Sequence, residues 1–113
     1  MALTPKQLAA GTLTNAVATY YTTPAAAKAR IDAFSVVNYS GVAATFSIWL
    51  VPTGGTADNT NLLVKDRSVA AGASGRILEA VGQWLGGGGT IQMSASATGS
   101  ITVLASGIEQ TAI

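Results

Sequence analysis

Three stretches of the chain alternate apolar and polar residues with a period of two. Ala44 to Val51 sets Phe46, Ile48 and Leu50 on one face and Thr45, Ser47 and Trp49 on the other. Thr90 to Ser96 sets Ile91, Met93 and Ala95 against Gln92, Ser94 and Ser96. Ser100 to Ile108 sets Ile101, Val103 and Ala105 against Thr102, Leu104 and Ser106. Successive side chains point to opposite faces of a strand, so this period fits half-buried β-strands rather than helices. Ala16 to Thr22, Ala29 to Val37, Leu62 to Val69 and Gly75 to Val81 add four more strand candidates, several rich in β-branched and aromatic residues. Turn formers separate them: Asn38 to Gly41, the long Pro52 to Asn61 segment, Ala71-Gly72-Ala73, Gly86 to Gly89 and Thr98-Gly99. Short strands with turns at this spacing predict an all-β fold, an antiparallel β-sandwich or jelly-roll-like relative of about seven to eight strands. Ala25 to Arg30 would suit a helical turn with Pro24 at its first position, but the strands on both sides favour a loop or strand lead-in.

The opening residues differ. Thr4 can cap a turn, with Pro5 first and Gln7 third, and Lys6 to Ala9 favour a helix that Gly11 stops within two turns. Such a helix is marginal alone. Residues 1–15 are therefore expected to form an arm that needs something to lie on, and 16–113 the sandwich. The arm carries Leu3, Leu8 and Leu13 and a single charge, Lys6, and is expected to order against a neighbouring subunit; the alternative is that it folds back over an edge strand of its own sandwich.

A chain of 113 residues has room for one core. Charged residues are only 10% of it, against about 25% in ordinary soluble domains. Ala, Gly, Thr and Ser together make up half. A free monomer stays soluble by dispersing charge, so part of the surface is expected to be covered by other copies or a partner. The net charge of +1 argues against nucleic acid and anionic membranes as partners. Nothing resembles a signal peptide or a membrane span, so a cytosolic start is expected. Asn38-Tyr39-Ser40 fits a glycosylation pattern by chance.

Cysteine and histidine are absent, which removes disulfides, thiolate nucleophiles and the commonest base and metal ligand. The acids Asp32, Asp58, Asp66, Glu79 and Glu109 show no spacing that would pair them across a cleft. Arg30/Asp32 and Lys65/Asp66/Arg67 suit surface ion pairs instead. Asp58-Asn59-Thr60-Asn61 holds one acid, too few for calcium. Gly86 to Gly89 lacks the Lys-Ser/Thr of a phosphate loop. These glycines permit a tight reversal or close packing, or form a flexible loop. No catalytic residue, cofactor or metal is expected. Trp49, on the polar side of its strand, and Trp84, expected in a loop, are interface anchors or covers for the ends of the sandwich.

Tyr20-Tyr21-Thr22-Thr23-Pro24, Ile31 through Gly41, Phe46 through Gly55, Ala70 to Ala73, Ile91 and Val103 to Glu109 resemble segments of small virion proteins of tailed bacteriophages. The likeness runs from about Tyr20 to Glu109, and Leu3 to Leu8 also looks like the start of such proteins. Where that pattern has an acidic Ala-Gly-Asp turn, this chain has Gly87-Gly88-Gly89-Thr90. The resemblance implies a non-enzymatic capsid decoration or cement protein on the outer capsid surface of the virion, assembled in the host cytoplasm. The major capsid protein would be its partner, with a homotrimer expected and a dimer next. Leu3, Leu8, Leu13, Trp49 and Trp84 would form the subunit or capsid interface. The alternative is a tail- or fibre-associated module binding a host-surface glycan through Trp84, Asp58, Asn59 and Asn61.

Overall fold

The computed structural model of the protein describes residues 2–111; Met1, Ala112 and Ile113, the outermost residues of the expected arm and sandwich, lie outside the described residues. Nine strands follow one another: β1 Ala2–Thr12, β2 Ala18–Thr22, β3 Ala27–Asn38, β4 Ala44–Val51, β5 Leu62–Val69, β6 Ser74–Arg76, β7 Trp84–Leu85, β8 Thr90–Ala95 and β9 Ile101–Thr111. A 3-10 turn, Leu78–Ala80, separates β6 from β7. The pairings are nested: β1 with β9, β2 with β8, β3 with β6 and β4 with β5, all antiparallel. The chain is thus one long antiparallel ribbon. It is rolled up by two further pairings, β3 with β9 and β4 with β8. The result is two sheets, β1-β9-β3-β6 with β7 alongside β3, and β2-β8-β4-β5. This is the double-sheet connectivity of a jelly roll.

The inner faces carry the alternation that the sequence displays. Ile101, Val103 and Ala105 of β9 and Ile31, Phe34 and Val36 of β3 are buried against Phe46 and Ile48 of β4 and Ile91 and Met93 of β8. Leu50, in register with Ile91, packs against the core but is only half-buried, and Val51 beside it is buried outside that cluster. Asn38 is fully buried at the end of β3; its amide donates to Val42 and Val69 carbonyls and its oxygen accepts from Ser40. Both of its amide hydrogens are therefore spent on tying the turn to β5.

The expected N-terminal arm is strand β1, an edge of the larger sheet. Leu8 and Leu13 belong to the protein's own core, and Leu3 is exposed. The helical preference of Lys6 to Ala9 is worth tenths of a kcal/mol per residue. It loses to a ladder running from Ala2↔Thr111 to Thr12↔Thr102, which satisfies one edge of β9. A bulge between Gln7 and Ala9 turns both Leu8 and Ala9 inward. The Tyr20 hydroxyl then donates to the Thr12 carbonyl at the end of this edge. Gly75 to Val81 is not one strand: it is β6 followed by the 3-10 turn, which places Ile77 and Ala80 in the core. Ala25 to Arg30 forms no helix; β3 starts at Ala27, after a turn in which Ala27 N–H reaches Pro24 O.

Because β1 is built into the fold, Leu13→Ala should cost about 3 kcal/mol by opening a cavity in the core. Urea unfolding checks this. Deleting residues 2–14 should abolish cooperative unfolding altogether, whereas an accessory arm would leave the melting curve of the sandwich intact.

Candidate functional site: an uncharged sheet face and a groove at Trp84

The titratable groups are dispersed. Lys6 of β1 lies 3.4 Å from Glu109 of β9, and Glu109 also accepts the Tyr21 hydroxyl of β2 at 2.5 Å. This cluster ties β1, β9 and β2, and so joins the two sheets. Burial first, then the bond to Glu109, raises the Tyr21 phenol well above its ordinary value. Arg30 and Asp32 pair at 2.7 Å along β3, within one strand rather than between strands. Arg67 pairs with Glu79 of the 3-10 turn. Asp66 pairs with neither basic neighbour. It sits at φ 46° in a bulge of β5, and its N–H reaches the Ser47 hydroxyl. Asp58 accepts from the Thr60 hydroxyl and N–H, bonds that hold its carboxyl below the usual range. Among the described residues no three acids converge on a metal-sized site.

Register fixes what the outer face of the larger sheet presents. Residues in register share a face, so its rows read Leu3–Gln110–Lys28, Pro5–Ile108–Arg30–Trp84, Gln7–Ser106–Ala33, Ala10–Leu104–Ser35–Arg76 and Thr12–Thr102–Val37–Ser74. The last three rows carry no charge across β1, β9 and β3. Leu104 stands in the middle of the central strand with half its surface exposed. Beside it lies a shallow groove bounded by Val37, Ser74, Arg76 and Thr102. Exposed Leu78 and Val81 adjoin the same face past Ala33 and Ser35. The smaller sheet's outer face is different: Thr45, Ser68, Gln92 and Ser94 give it hydroxyls and an amide, and exposed Asp66 covers the buried Ser47, whose hydroxyl it bonds. Half-buried Trp49 lies there, between Leu62 and Gln92.

Trp84 belongs to a strand, not a loop. Its pairing with Arg30 puts the ring on the larger sheet's outer face, with the Arg30 guanidinium carbon 5.6 Å from the ring centroid. Next to it opens a groove of about 380 Å³ lined by Leu50, Pro52, Thr60, Asn61, Gln83, Leu85 and the glycines 86 and 89. The four-glycine run is close packing, not a flexible loop. A Cβ on Gly87 would sit against the Ala25 carbonyl, 2.9 Å from its carbon. Gly88, at φ 81°, faces the Thr53 side chain, and the Thr53 hydroxyl donates to the Gly87 carbonyl. These contacts join the Pro52–Asn61 segment to the glycine turn.

The structure thus scatters the five expected interface residues. Leu8 and Leu13 are core, Leu3 and Trp84 share one outer face, and Trp49 lies on the other. It does bring Asn61 to Trp84, while Asp58 braces Asn61 and Asn59 does not line the groove. Sequence reasoning overlooked Leu104 and Gln83. Leu104 carried a legible signal, a large apolar residue on the polar side of its alternation; Gln83 carried none. No family model matches the chain, and no curated protein or solved structure matches it either.

Gly87→Ala should lower stability by about 2 kcal/mol through overpacking against the Ala25 carbonyl. Gly86→Ala, where a Cβ meets nothing within 4 Å, should be close to neutral. Thermal denaturation of the pair separates close packing from mere flexibility. Tyr21→Phe should cost about 1 kcal/mol at neutral pH. Above pH ~10 the unfolded tyrosine ionises while the folded one does not, so stability falls as pH rises. The wild type should therefore lose stability more steeply than Tyr21→Phe between pH 9 and 12, as urea midpoints would show.

Proposed function

We propose that the chain is a non-enzymatic structural protein of a tailed-phage virion, a decoration protein that seats the outer face of its larger sheet on the capsid shell. The observation that carries this reading is the uncharged face centred on Leu104. A leucine in mid-sheet, half in water and surrounded by Ala10, Ser35, Ser106 and Thr102, suits a face that is covered in use. Three strands of eleven or twelve residues span about 500 Å² at the usual rise and spacing. Leu78 and Val81 extend that toward the ~800 Å² per partner of a standard interface. The rim adds specificity. Lys28, Arg30 and Arg76 outnumber Asp32 there, so the complementary shell surface is acidic. The jelly-roll connectivity and the likeness to small virion proteins support the same reading, and the likeness favours three copies grouped on the particle.

Mass spectrometry of density-purified virions should find the chain. Leu104→Lys should melt within about 0.5 kcal/mol of wild type, because the site is exposed. The same variant should bind the shell at least about tenfold more weakly, since it buries an unpaired charge at the centre of the interface. Absence of the chain from mature particles, or full retention of Leu104→Lys, would overturn the proposal. Light scattering of the particle-released protein reports the trimer.

A further inference from the structure

We propose that the groove beside Trp84 is a binding site for a neutral saccharide of one or two rings, separate from the uncharged centre of the sheet face. The lining decides the ligand class. No charged side chain lines this groove: Leu50, Pro52 and Leu85 supply apolar surface, and Thr60, Asn61 and Gln83 supply a hydroxyl and two amides. An anionic ligand such as a phosphate would call for cations in the lining. A wholly apolar ligand would leave the amides without partners. A sugar presents both a C–H face and a rim of hydroxyls that donate and accept, the two kinds of surface this groove offers.

Trp84 supplies the platform. It is about half exposed, and it is held on a strand rather than a loop by its pairing with Arg30 and that of Leu85 with Ala29. The Arg30 guanidinium lies over the ring and restrains its orientation. Indole rings carry a large apolar surface at little conformational cost, which suits stacking on the C–H face of a pyranose.

The polar side chains are fixed in advance yet keep free capacity. Asn61 donates one amide hydrogen to Thr56 O at 2.8 Å and accepts from Asp58 N–H at 3.2 Å. Gln83 donates to Glu79 O at 3.2 Å. The Thr60 hydroxyl donates to Asp58 at 2.5 Å. Each amide nitrogen has two hydrogens and each carbonyl oxygen two lone pairs, so both amides retain a donor and an acceptor for ligand, and Thr60 retains its lone pairs. Asn61 O also receives the Leu50 N–H at 3.0 Å, which anchors this wall to β4. Gly86 and Gly89 of the glycine turn complete the lining. The groove's volume of about 380 Å³ falls at the small end of ligand pockets, ~300–1,000 Å³, which limits the occupant to a mono- or disaccharide.

The test starts with a glycan array of neutral and acidic mono- and disaccharides probed with the full chain. Neutral sugars that bind are then titrated against a Trp49→Phe background, in which Trp84 is the sole tryptophan fluorophore. The expected result is a saturable change in Trp84 emission. Affinity should fall at least about tenfold in Trp84→Ala, read by calorimetry, for loss of the stacked surface. Gln83→Ala should weaken binding several-fold with an unchanged melting temperature, which covers the case in which Trp84→Ala perturbs folding. Leu104→Lys should bind sugar as wild type does, so this proposal and the capsid reading fail separately. Binding of no neutral sugar, binding of acidic sugars alone, or binding unaltered by both Trp84→Ala and Gln83→Ala would overturn it.

Discussion

The ladder between β1 and β9 is the interaction on which the rest depends. β9 is central in the larger sheet only because β1 lies on one side of it and β3 on the other. Without β1, the backbone of β9 from Thr102 to Thr111 would lose its partner along one edge, and Leu8, Ala9 and Leu13 would leave the core. The pairing joins segments about a hundred positions apart, so its loop-closure cost is high. Nesting lowers that cost stepwise. With β4 paired to β5 across the Pro52–Asn61 segment, each outer pair has only the segments between it and the next inner pair left to close. The Lys6–Glu109–Tyr21 cluster fastens the outermost pair to the smaller sheet.

Packing in this frame decides where binding surface is available. The core takes the aliphatic side chains of the inner faces, while Leu78, Val81, Trp84 and Leu104 stay exposed, and the loops at one end are consumed by packing: Gly87 against Ala25, Gly88 against Thr53. What remains is a sheet face, which is rigid and broad, and a groove at the seam where β7 meets the Pro52–Asn61 segment. Both are held by backbone pairing, so neither needs to reorganise before it meets a partner.

Much of the fold was legible in the sequence. The alternation in Thr90 to Ser96 and Ser100 to Ile108 named the inward residues correctly, because period two survives wherever one face is buried. The first strand was not legible. Ala, Lys and Gln are poor strand formers, and Pro5, Lys6 and Gly11 read as interruptions. Those same residues suit an edge: Pro5 needs no donor partner, and Lys6 finds Glu109 across the ladder. The two-residue β7 escaped notice for the opposite reason, as it is too short to show any period. The candidate site was half legible. Trp84 and Asn61 stood out by type, but only the fold could bring residues twenty-three positions apart into one groove, and Gln83 gave no signal.

The scarcity of charge takes on a sharper meaning once it is mapped. Of the eleven charged side chains, six are taken up by the three ion pairs Lys6–Glu109, Arg30–Asp32 and Arg67–Glu79. Exposed pairs of this kind add little stability, and pairing cancels their contribution to the field. Of the five charges left, Lys65 and Asp66 lie on β5 of the smaller sheet, whose outer face is otherwise kept in water by neutral hydroxyls and amides. The larger sheet's face mixes such groups with apolar ones: its middle rows set Ala10, Ala33, Leu104 and Val37 among Thr12, Ser35, Thr102, Ser106 and the Gln7 amide. A surface with little charge repulsion and a leucine at its centre is tolerable in a free monomer only at modest concentration. The asymmetry between the two faces, rather than the overall lack of charge, is thus what singles out the larger sheet's face as the one to be covered in the proposed assembly.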